Sequence, residues 1–160
     1  MSELSEYDKN IIENVEKHGW FATSVFDPEG KEPMFTYSTG FSKTLGAPEF
    51  IVFGLNKELM HNMLWEVFHQ IKAGVVPQDS MRWDGLLEGF HCISKKAIHP
   101  DLHKEYTCAA NWFWRHHGNT ESLEVYQIVW PGAQQGLFPW EEGCDSYVIS
   151  QQPKLWATLK

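Results

Sequence analysis

At 160 residues, 42% apolar and 21% charged, the chain has the size and composition of one globular domain, 1–160, able to bury a core without disulfides or metal. Thirteen Lys and Arg against 21 Asp and Glu give −8 at pH 7, which argues against a nucleic-acid partner, since phosphate contacts need a basic face. No apolar run reaches the roughly 18 residues of a membrane span. The start, Met1 to Glu6, is acidic rather than leader-like, and the three cysteines lack CxxC spacing. A cytoplasmic protein without a membrane segment is expected.

Leu4, Tyr7, Ile11, Ile12 and Val15 stripe an amphipathic helix over residues 4–18, with Ser2 or Ser5 as its cap and Gly19 as its end. Trp20–Phe26 and Met34–Phe41 read as the strands of a hairpin around the Asp27-Pro28-Glu29-Gly30 turn. The continuous apolar run in Glu49–Leu55 predicts a strand covered on both faces. Asn56 then caps a helix striped by Leu59, Met60, Met63, Leu64, Val67, Phe68 and Ile71, ended by Gly74.

Val75–Leu86 reads as a loop and Gly89–Ile98 as a strand. Pro100 opens a third helix with Leu102, Tyr106, Ala109, Ala110 and Phe113 facing inward. Leu123–Trp130 is a last long strand, followed by a tail with a short strand at Tyr147–Ser150. The expected fold is α+β, a mixed or mainly antiparallel sheet of about five strands with about three helices.

Phosphate loops, nucleophile elbows and HExxH helices are absent. Histidine is abundant, but His99 precedes Pro100 and is driven towards extended geometry, so it does not share a helix face with His103. No metal is favoured, with His91, His99 and His103 the weak candidates, and no cofactor is expected. Cys92 and Cys108 read as packing residues, and Cys144 as exposed and flanked by acid. In Asn111–His117, Phe113 points inward while Trp112 and Trp114 splay to the flanks.

Several linked blocks carry a resemblance. His18-Gly19-Trp20, Phe35–Phe41, Gly46-Ala47-Pro48-Glu49, Val52–Leu55, Tyr126–Pro131, Gly136–Glu141 and Gln152-Pro153 resemble the bacterial domain-of-unknown-function family 4262. The resemblance implies no reaction. That family tends to have Asp after the Trp-Pro pair, where this chain has Gly132.

These blocks single out Tyr37, Thr39, Gln127, Trp140 and Glu141 as a polar set with an aromatic wall, were the fold to bring them together. Tyr37 and Thr39 share one strand face, as do Gln127 and Val129. The leading expectation is a non-catalytic acidic binding protein, an immunity- or antitoxin-like inhibitor of a partner protein. Its acidic patch would hold Glu121, Glu124, Glu141, Glu142 and Asp145 with Trp114 and Trp140. The alternative is a small-molecule binder or enzyme using the Tyr37 set, with His91 as acid or base; a histidine-based metal protein is third.

Overall fold

The computed structural model describes residues 4–157 and is an α+β structure around one mixed sheet. Its strands are β1 (Phe21–Val25), β2 (Phe35–Thr39), β3 (Glu49–Phe53), β4 (Met81–Leu87), β5 (Phe90–Lys96) and β6 (Val125–Val129). They lie in the order β1-β2-β3-β6-β5-β4, with β3–β6 the parallel pair and the other neighbours antiparallel. β1 and β4 are therefore the two edges.

Helix α1 (Glu6–His18) starts at Ser5, whose Oγ accepts from Asp8 N while Asp8 accepts back from Ser5 N, a capping box. The alternative cap, Ser2, lies outside the described residues. Helix α3 (Lys57–Lys72) starts at Asn56, whose side chain accepts from Leu59 N. Between them a short helix, α2 (Phe41–Thr44), occupies the turn after β2, where the sequence pattern runs on as strand.

The sheet is covered on both faces. On one, Met60, Met63, Leu64, Val67 and Phe68 of α3 pack on Phe50, Val52, Trp83, Cys92 and Ile128. On the other, Ile11 and Val15 of α1 and Ala109, Ala110 and Phe113 of α4 (Cys108–His116) pack on Phe35, Tyr37, Ile51 and Phe53. This double cover explains why β3 and β6 are buried at every position.

Three further segments depart from the sequence pattern. Val75–Leu86 contains strand β4, because Trp83 and Leu86 both reach the core across a bulge that breaks simple alternation. The third helix is split: Leu102–Tyr106 is a π-helical turn, closed by Thr107 N donating to Leu102 O at 3.0 Å, and α4 begins after it. Cys108 consequently sits exposed at the start of α4, its thiol donating to Lys104 O, rather than in the core. Tyr147–Ser150 lies in a helix, α5 (Ser146–Gln151), capped by Asp145; Val148 is buried while Ser146 and Ser150, two residues away on either side, are exposed, which is not strand alternation.

Candidate functional site

The residues expected to converge do not form one cavity. Thr23, Tyr37, Ile51, Gln127 and Lys95 are cross-strand partners in one row across the sheet, so Tyr37 and Gln127 share a face with Ile51 between them. The Tyr37 hydroxyl is buried and accepts from Ala109 N at 3.1 Å, and burial pushes its pKa up to about 12. Thr39 is buried and its hydroxyl finds no partner.

Gln127 serves the tail. Its amide donates to Pro153 O at 2.8 Å and accepts from Leu155 N at 3.1 Å. Gln152 pairs in the same way with the backbone of Trp130. These buried amides staple the tail to β6, as buried polar groups require partners.

Trp140 stands at the open end of the row, stacked on Phe138 with Lys95 Nζ 5.0 Å from its ring. Glu141 accepts from Phe138 N at 2.8 Å and so caps its own loop; Glu142 is exposed. Trp114 donates from its indole to Glu121 O and lines a shallow groove with Pro48, Glu121 and Glu124. Lysines interrupt the expected acidic patch: Lys96 pairs with Glu124 at 3.1 Å, and Lys95 lies beneath Trp140.

The three histidines also have separate surroundings. His91 packs on Phe138. His103 shares a hydrogen bond with Thr107, and burial holds its pKa below the ordinary imidazole value. His99 lies close to Asp101 and Glu105, with ligand atoms within 4.8 Å of one another. Its Nδ1, however, accepts from Asp101 N at 3.1 Å. That bond occupies the Nδ1 lone pair and places the ring proton on Nε2, so neither nitrogen is free to ligate without breaking it.

Glu49 is the buried charge of the fold. Fully enclosed, it accepts from Ser38 Oγ (2.7 Å), Gly40 N (2.9 Å), Phe41 N (3.1 Å), Ser42 N (3.2 Å) and Ser42 Oγ (3.1 Å). Burial pushes its carboxyl above the usual range, while the Ser38 hydroxyl and the backbone N–H groups of Ser42, Gly40 and Phe41 pull it back towards the ionised form. Three of the donors are backbone N–H groups around the start of α2, so Glu49 locks the β2–α2 turn to β3. Gly40 permits that turn: its φ is +109°, and a Cβ would meet Val15 Cγ2 at 2.9 Å.

A cavity of about 900 Å³ runs along the open edge of β1. One wall is α1, through Asn14 and His18; the floor is Phe21, Ala22 and Ser24; the other wall is α3, through Lys57, Glu58, His61 and Trp65. Trp20, buried beneath, joins the α3 wall in an aromatic stack, with ring centroids 5.4 Å from His61 and 5.6 Å from Trp65. Trp65 continues the stack to Phe68 at 5.5 Å and remains 38% exposed. The signal for this groove lies in α3: Trp65 and His61 fall outside its apolar stripe, four residues apart on the helix surface.

The model of the domain of unknown function DUF4262 matches residues 14–145. The chain belongs to this family. No curated protein and no solved structure matches it. Within the matched range, the blocks at 35–41 and 46–49 are the two that Glu49 ties together. Those at 52–55 and 126–131 meet where Trp130 Nε1 donates to Phe53 O at 2.7 Å. At Gly132, which follows the Trp-Pro pair, a Cβ would lie 3.0 Å from Val148 Cγ2, so a side chain would press on α5. No helix among the described residues is long and apolar enough to cross a membrane.

Proposed function

We propose that the protein is a non-catalytic binding protein whose site for a partner protein is the groove between α1, the β1 edge and α3. The observation that supports this reading is a large concave surface with an exposed, pre-stacked tryptophan at a sheet edge. Exposed aromatics in recessed surfaces are the usual anchors of protein recognition. The buried titratable groups Tyr37 and Glu49, and the Gln127 amide of the expected polar set, are spent on internal hydrogen bonds instead.

An immunity- or antitoxin-like inhibitor is the narrower form of the proposal. The net charge of −8 would steer a basic partner to the molecule, and the groove would hold it. Affinity purification from the native host tests both levels. A stoichiometric partner recovered with wild type and with Glu141→Lys/Glu142→Lys, and lost with Trp65→Ala, is expected. Retention by Trp65→Ala with loss on charge reversal would return the site to the 140–145 loop. No partner with wild type would count against a binding protein altogether.

A further inference from the structure

The two edges of the sheet are finished differently, and the difference bears on how a partner engages the groove. Along β4, Arg82 and Asp84 place an ion pair on the strand, a bulge interrupts it between Trp83 and Leu87, and Gln70 Nε2 of α3 donates to Asp84 O at 2.7 Å. Charges, bulges and a covering side chain are the devices by which proteins stop an edge from pairing with another chain.

β1 carries none of them. Phe21-Ala22-Thr23-Ser24-Val25 has no charge and no proline, and it pairs with β2 residue for residue without a bulge. Among the described residues, neither a side chain nor a loop hydrogen-bonds to its backbone. This bare edge is the floor of the 900 Å³ groove.

We infer that β1 is a strand-addition site. Resting on the groove as the binding site, this names the mode: an extended segment of the partner protein pairs with the β1 backbone as a seventh strand. Five residues of β1 offer about 17 Å of edge at 3.3–3.4 Å per residue, enough for a segment of about five residues.

The occupant is a segment of another protein rather than a second copy of this chain. β1 is recessed between α1 on one face and α3 on the other. A single strand enters such a slot, whereas a second β1 would bring its own flanking helices into collision with these. Side chains of an added strand alternate between the walls. Those facing α3 meet Trp65 and His61 and are apolar or aromatic. Those facing α1 meet Asn14 and His18 and are polar. Lys57 offsets Glu58, so the groove itself is near neutral and suits an uncharged segment, while the net −8 of the chain acts on the partner as a whole.

The test uses phage-displayed random dodecapeptides panned on the whole chain and counter-selected on Trp65→Ala. Enriched peptides are then synthesised with one backbone N-methyl at each position in turn. Strand addition predicts that binding weakens about tenfold or more at every second position and little at those between, because alternate N–H groups face β1. Trp65-dependent peptides without this alternation would overturn strand addition while leaving the groove as the site. Failure to find any Trp65-dependent peptide would overturn both. A concentration-dependent dimer in sedimentation, abolished by Val25→Lys, would contradict the choice of occupant.

Discussion

β1 and β4 end the same sheet and are built from the same kinds of backbone groups, yet one is armoured and the other bare. At β4 the cost is accepted locally: a bulge, a charged pair and a glutamine from α3 hold the edge closed. At β1 the edge is left open, and a groove of about 900 Å³ has formed around it. An unprotected edge is a liability in a protein with no use for it. The contrast is therefore the best evidence for what the surface does, stronger than any single side chain.

The largest expected effect concerns what lies behind the open edge. β1 can receive a strand only if β2 and β3 hold it rigidly, and Glu49 is the lock between them. Glu49→Gln replaces an acceptor of five hydrogen bonds by an amide whose N–H₂ must face donors, and should cost about 3 kcal/mol in urea unfolding. An unchanged midpoint would mean that the turn is held by something else.

Next comes the edge itself. Val25→Lys puts a charge on an exposed strand position in the manner of a natural edge guard. It should weaken binding of Trp65-dependent peptides about tenfold, by titration calorimetry, with thermal stability unchanged. The same substitution logic applied to β4 should do nothing, because that edge is already guarded.

Tyr37 ties the row behind β1 to α4. Removing its hydroxyl in Tyr37→Phe leaves Ala109 N without its partner and should cost about 1 kcal/mol. It should also change the alkaline limb of stability. The folded protein holds the phenolic proton up to about 12, whereas the unfolded chain releases it near 10. This contribution is thus fully present below pH 10 and lost as pH rises from 10 to 12. Unfolding midpoints across that window should fall less steeply in Tyr37→Phe than in wild type, the remaining slope including Cys92, whose thiol burial also pushes to about 12.

The smallest effect is at the guarded edge. Gln70→Ala uncovers the Asp84 carbonyl and should cost about 0.5–1 kcal/mol. Combined with Arg82→Thr and Asp84→Thr it should make β4 sticky, seen as concentration-dependent association in sedimentation. If the triple variant stays monomeric, the covering devices are not what keeps β4 apart.

Much of the architecture was legible in the sequence. Ser5 and Asn56 announce their helices through short-range side-chain bonds, and the unbroken apolar run at 50–53 announces a strand buried on both faces. Segments decided by tertiary contacts were less so. β4 hides because its bulge breaks alternation, and α5 hides because β-branched Val148 and Ile149 suit a strand until Asp145 caps a helix over them. The candidate site was least legible. Tyr37 and Gln127 carry the residue types of a ligand site and serve as internal staples. The groove, by contrast, depends on which strand lies at the edge, a property of topology that no local pattern encodes. Trp65 and His61, off the stripe of α3, were its local traces.

Amide hydrogen exchange, read residue by residue with and without a Trp65-dependent peptide, tests the strand-addition account most directly. Bound peptide should slow exchange at alternate residues of Phe21–Val25 and leave Met81–Leu87 unchanged. Protection confined to β4, to the Trp114 groove or to the 140–145 loop, with β1 unaffected, would contradict it.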